Sequence, residues 1–158
     1  MKLSVFFTFD ISLRDWHNNG LLQREVVLYQ ELIKDYGIKV QFITYGDDSD
    51  YEYISQIPDI EIIPIYSYMK RPKNRYVKLM QTLFIPWRLK KEIQSSDILK
   101  TNQMFGSWVG VMAKVMFKKP LIVRCGYELF SNTLKSKKNI LYKIFIYSAQ
   151  LLLNYGDT

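Results

Sequence analysis

Five short apolar runs punctuate this chain, and between them lie longer segments whose apolar residues recur at helical spacing. The runs are residues 3–9 ("LSVFFTF"), 38–44 ("IKVQFIT"), 60–66 ("IEIIPIY"), 97–101 ("DILKT") and 121–125 ("LIVRC"). Each is too short for a buried helix and reads as a strand. Leu22, Val26, Tyr29, Ile33 and Tyr36 form a helical stripe between the first two runs, with Gly37 suited to the position just past its end. Residues 10–20 read as a loop and "YGDDSD" as a turn, with a short connection before the third strand. Residues 74–93 read as helical, broken or kinked at Pro86. Phe105, Val109, Met112, Val115 and Met116 mark the next helix, which Lys118, Lys119 and Pro120 end, and residues 139–154 read as a last helix. Strands alternating with helices long enough to cross over predict an α/β fold with a doubly wound, mostly parallel, Rossmann-like sheet. Pro64 cannot donate to a ladder, so the third strand is expected at the sheet edge.

At 158 residues, 48% of them hydrophobic, the chain suffices for one domain with a sizeable core and is not of disordered composition. No apolar run approaches the roughly 18 residues of a spanning helix. "MKLSVFFTFD" reads as a first strand, because Asp10 closes the apolar stretch and no cleavage-like site follows. Cys125 is the single cysteine, which fits a reducing cytosol. "LLLNYGDT" brings a helix to a turn where another strand is expected, so the chain reads as truncated before its last strand, a frayed C-terminus being the alternative.

In an open parallel sheet, ligands sit beyond the carboxyl ends of the strands. Gly20 would then follow the first strand and open the first helix, where glycine lets backbone N–H groups approach a phosphate. The G-x-G-x-x-G spacing is absent, so an ordinary loop glycine is the competing reading. Asn102 and Gln103 follow the fourth strand, and Arg124, Gly126, Tyr127 and Glu128 surround the end of the fifth. Arg124 is suited to hold an anion and Glu128 to orient a hydroxyl or accept a proton; a local Arg124–Glu128 salt bridge is the alternative. His17 is the single histidine, and a lone loop histidine is more often idle. No residues have metal-ligand spacing, and no Ser or Cys nucleophile constellation is present.

The net charge of +7 is unevenly placed. Residues 1–69 carry five basic and eleven acidic side chains, whereas residues 70–91, "KRPKNRYVKLMQTLFIPWRLKK", carry eight basic and none acidic. Lys70, Arg71, Lys73, Arg75, Lys78, Arg88, Lys90 and Lys91, interleaved with Tyr76, Leu79, Leu83, Phe84 and Trp87, suit an anionic membrane surface. Lys135, Lys137, Lys138 and Lys143 extend the same charge. A solvated helix face is the plain alternative, and nucleic acid is disfavoured because no binding motif for it is present.

"GLLQREVVLYQELIKDYGIKVQFITYGD" and "SDILKTNQMFGSWVGVMAKVMFKKPLIVRCGYE" together resemble the N-terminal half of GT-B glycosyltransferases of the retaining group called family 4. The resemblance covers residues 2–157 and is a pattern of strand–loop–helix blocks, not a catalytic signature. It implies a domain that shapes the acceptor site, a second domain that binds the sugar nucleotide, and transfer in the cleft between them. Gly20 matches the first-loop glycine that approaches the donor diphosphate, with Leu21 and Arg24 beside it. "RCGYE" matches a cleft-lining loop where many relatives carry a histidine; here Cys125, Gly126 and Tyr127 stand there, so no histidine role carries over. A retaining transfer need not use a protein base on the acceptor. The resemblance implies a nucleotide-sugar co-substrate, no metal, a saccharide or lipid-linked acceptor, and a location in the cytoplasm or at the inner face of the membrane. It also implies that this chain needs the absent donor domain to catalyse. Two other classes stay open: a non-catalytic Rossmann-like binding or membrane-anchoring subunit, and a flavodoxin-like domain for a small anionic ligand.

Overall fold

The computed structural model describes residues 1–125. They run as β1 (Lys2–Phe6), α1 (Leu13–Asn18), α2 (Leu22–Tyr36), β2 (Lys39–Thr44), a 3₁₀ segment (Asp48–Gln56), β3 (Ile60–Pro64) and α3 (Ile65–Tyr68), then α4 (Arg75–Thr82), α5 (Ile85–Arg88), α6 (Lys90–Gln94), β4 (Ile98–Thr101), α7 (Ser107–Phe117) and β5 (Leu121–Val123). The strands form one sheet in the order β3-β2-β1-β4-β5 with every neighbouring pair parallel. This is the doubly wound α/β architecture that the alternation of apolar runs and helical stripes predicts. The third strand lies at an edge of the sheet, where Pro64 leaves no ladder bond unmade.

Helices cover both faces. Register places Phe42, Val5 and Lys100 in one row and Ile43, Phe6 and Thr101 in the next, pointing the opposite way. Trp16 of α1 and Tyr29 of α2 lie with ring centroids 5.8 and 5.0 Å from Phe42, so these helices cover its face. On the other face the Gln41 side chain donates to the Glu92 carbonyl of α6 at 2.9 Å. Gly110 brings α7 close to Leu121 and Thr101 on that face as well. Burial on both sides is why β1 reads as a near-continuous apolar run; residues 38–44 read as alternating, yet every residue of β2 after Lys39 is buried. Ser4, Gln41 and Ser96 interrupt the apolar filling and hydrogen-bond to one another beneath α6.

Four expectations are corrected. Residues 10–20 are not all loop: they contain α1, started by a capping box in which the Ser12 side chain accepts from the Asp15 N–H and Asp15 accepts from the Ser12 N–H. Gly20 therefore does not lead from β1 straight into the first helix. It stands just past the end of α1 at φ 65°, donating its N–H to the His17 carbonyl at 3.0 Å, while Leu21 donates to the Trp16 carbonyl at 2.8 Å. That pair of bonds is a Schellman ending, which a left-handed glycine completes. The expected helix over 74–93 is three helices, with Pro86 in the first turn of α5, where its missing N–H costs nothing. The strands are also shorter than the apolar runs, β1 stopping at Phe6 and β5 at Val123. Gly37 ends α2 as expected, at φ 61° with its N–H on the Ile33 carbonyl. The helix expected at 139–154 lies outside the described residues.

Gly106 answers a different need from Gly20. At φ 101° it sits at the start of α7 with the space for a Cβ only 2.7 Å from the Phe9 backbone nitrogen, whereas a Cβ on Gly20 would meet nothing. Gly20→Ala should cost only the left-handed backbone strain, about 1–2 kcal/mol. Gly106→Ala should cost more, about 3 kcal/mol or above, because two backbones must separate as well. Urea unfolding of both variants at equal m-value checks this, and equal losses would contradict the close approach.

Candidate functional site

The strand order reverses between β1 and β4. The chain leaves β1 for β2 on one side, and it later returns to β4 on the other, so the loops after β1 and β4 diverge and leave a crevice at their carboxyl ends. The two loops are tied at one point, where the Phe9 N–H donates to the Phe105 carbonyl at 3.2 Å. Phe9 also packs its ring against Phe105 and Trp108, with centroids 5.8 and 5.7 Å away.

Within the crevice lies a cavity of about 160 Å³ whose walls include Thr8, Asp15, Leu21, Arg24, Glu25, Asn102 and Gln103. Four of the residues singled out in the sequence, Leu21, Arg24, Asn102 and Gln103, thus share one wall system. Gly20 is not among the lining residues, and its N–H and that of Leu21 are already committed to α1. The nearest donors of a helix start are instead those of the first turn of α2, which no side chain caps. Arg124 follows β5 and donates to Glu25 on α2 at 2.6 Å, so its observed partner is a residue nearly a hundred positions away. Gly126, Tyr127 and Glu128 lie outside the described residues. His17 is exposed on α1 with its ring 5.2 Å from that of Tyr53 and does not line the cavity.

Asn102 is the most pointed feature of the wall. It is only 4% exposed, its backbone N–H donates to the Phe6 carbonyl at 2.8 Å, and its side-chain Oδ1 has no hydrogen-bond partner. An unsatisfied buried amide oxygen costs about 1–3 kcal/mol, which a donor on a bound ligand removes.

Glu25 organises the charges. Its two oxygens accept from Arg24 at 3.0 Å and from Arg124 at 2.6 Å. Burial works against its charge, but the hydrogen bonds and attraction of Arg124 and Arg24 together outweigh it and hold the carboxyl below its usual range. Asp15, the other carboxylate of the wall, accepts from the Ser12 N–H and hydroxyl at 2.7 and 2.6 Å. Both carboxylates are thus engaged by donors, which leaves the cavity better suited to binding and orienting a polar ligand than to abstracting a proton. Sequence reading passed over both. The Ser12-to-Asp15 spacing is a capping-box signature that points to Asp15, whereas nothing local marks Glu25 as the partner of Arg124.

Behind Glu25, the Lys100 ammonium donates to the Tyr29 hydroxyl at 2.9 Å. Burial, and then the nearby Arg124 charge, lower the Lys100 pKa to about 8, and burial raises that of Tyr29 to about 12. Among the described residues no three His, Cys, Asp or Glu side chains come together where they could hold a metal ion.

No protein-family model matches the chain, and no curated protein matches it.

Lys100 gives the site a pH signature. The folded protein releases this proton near pH 8 and the unfolded chain near 10.5, so between them the unfolded state binds more protons and stability rises with pH. Tyr29 opposes this above about pH 10, where the folded state keeps its proton longer. Unfolding free energy measured from pH 7.5 to 10 should therefore climb in the native protein relative to Lys100→Met, with the difference between the two proteins shrinking across that window. A constant difference would contradict the burial of the charged ammonium.

Proposed function

We propose that this chain is the acceptor-side domain of a retaining glycosyltransferase, which transfers a sugar from a nucleotide-sugar donor to a saccharide or lipid-linked acceptor in cell-envelope or exopolysaccharide synthesis. The observation that carries this reading is the cavity at the strand-order reversal, where Asn102 presents an unpartnered buried oxygen beside Arg24. An unpartnered amide oxygen accepts from a sugar hydroxyl, and a cation next to an uncapped helix start favours a phosphate. The likeness of residues 2–157 to the N-terminal half of GT-B enzymes supplies the reaction class, and with it a second, donor-binding domain that this chain requires.

In this reading the domain works by positioning. Asn102 and Gln103 orient the acceptor hydroxyl toward the anomeric carbon held by the partner domain. Charge developing on the departing diphosphate is met by Arg24 and the first-turn N–H groups of α2, the role first assigned to the Gly20 loop. Glu25 holds Arg124 in place, and its lowered pKa keeps it ionised at neutral pH. A retaining transfer places no demand for a base on these residues. The proposed location is the cytoplasmic side of a membrane, reached by the basic segment. Among the described residues no helix is long and apolar enough to cross a membrane.

The test is release of nucleoside diphosphate by the full-length protein, offered nucleotide sugars with saccharide and with lipid-linked acceptors. Turnover that falls about tenfold to a hundredfold in Asn102→Ala, with the fold retained, is the expected outcome. Sugar or nucleotide binding without turnover for any pairing would favour a non-catalytic binding subunit.

A further inference from the structure

Helices α4 and α5 turn an apolar stripe outward. Tyr76, Met80, Phe84 and Trp87 follow one another at helical steps and are 79%, 59%, 55% and 71% exposed. A surface helix ordinarily faces such a stripe to the core; here Leu79, Thr82 and Ile85 make the inward contacts. Beside the stripe runs an open groove of about 660 Å³ lined by Met69, Gln81, Phe84, Trp87 and Arg88. Its size falls within the range of roughly 300–1,000 Å³ that takes a small organic ligand. The Oε1 of Gln81 is buried there without a hydrogen-bond partner.

Charge decides the occupant. Of the eight cations in residues 70–91, Lys78 and Arg71 are held by Asp10 at 2.8 and 3.5 Å, and the other six are exposed with no acidic residue among them. A second copy of this face would bring like charge to like. The chain's own residues 129–143 are basic too, with four lysines and no acid. An anionic bilayer matches both the cations and the aromatic side chains, which favour the boundary between headgroups and acyl chains.

We infer that this face docks on an anionic membrane by insertion, with Phe84 and Trp87 entering the acyl region and the adjoining groove taking one lipid chain whose phosphate meets Arg88. The inference rests on the reading that the protein works at a membrane, and it replaces simple charge attraction with a built apolar site. It also ties that site to the crevice. Lys78 of α4 holds Asp10 in the loop after β1, and Thr8 of the same loop lines the cavity. An amphiphilic acceptor drawn from the bilayer would be offered at that edge.

The test uses the full-length protein with vesicles of phosphatidylcholine alone and of phosphatidylcholine with phosphatidylglycerol, some bearing brominated chains. Trp16 is buried and Trp108 partly so, which makes exposed Trp87 the reporter. Expected are binding to the anionic vesicles only, a blue-shifted emission quenched by brominated chains, and loss of that quenching in Trp87→Phe. Phe84→Ser with Trp87→Ser should weaken vesicle binding by about tenfold or more while leaving the melting temperature unchanged, since both side chains are exposed. Anionic binding without quenching, and unaffected by the double substitution, would overturn insertion and leave the membrane reading standing as charge attraction. No binding to either vesicle would overturn the membrane reading with it. Shielding of Trp87 from acrylamide before any lipid is added would instead show the face covered by protein.

Discussion

Strand β1 is paired on both sides by parallel neighbours, with β2 at one flank and β4 at the other. The position of the crevice follows from that placement. Because the chain departs to one side and later returns on the other, no connection crosses the tips of β1 and β4. The gap between their loops becomes the natural ligand position. The two loops are tied where the Phe9 N–H reaches the Phe105 carbonyl and Gly106 lets the two backbones approach. The crevice is therefore a consequence of topology, and the loops beside it meet at a glycine with no room for a side chain.

Charge in the crevice is arranged around one buried carboxylate. Glu25 sits between Arg24 and Arg124 and offsets the cost of placing positive charge near Lys100, whose pKa burial and Arg124 lower to about 8. Glu25 is thus the counter-charge that Arg24 and Arg124 share. An anionic ligand entering the cavity meets Arg24, whose side chain is 71% exposed, before it meets the more enclosed Arg124 at 38%.

Much of the fold was legible in the sequence, because each strand is an apolar run of its own and each long helix carries its own stripe. Pro64 placed β3 at the edge through one missing donor, and Gly37 marked the end of α2. Helix α1 was missed because its six residues are too few for a period to emerge, although Ser12 and Asp15 announce it by spacing. That omission misassigned Gly20, which reads as the start of α2 when it in fact closes α1. The cavity was legible in part: Asn102 and Gln103 follow from lying past a strand end. Glu25 and Asp15 did not, since their importance comes from contacts made across the sheet and from a short helix.

Two edges of the domain now have distinct chemistries joined by one loop. The crevice offers Arg24, Asn102 and an uncapped helix start, while α4 and α5 offer an aromatic, cationic face, and Asp10 lies between them. Hydrogen–deuterium exchange of the full-length protein, with and without a nucleoside diphosphate sugar, addresses the crevice directly. The account predicts slowed exchange at the backbone amides of residues 22–24 and of Gln103, with the Gly20 and Asn102 amides unchanged because they already bond to the carbonyls of His17 and Phe6. Protection at Gly20 with none at the start of α2, or no protection anywhere in the crevice, would contradict it.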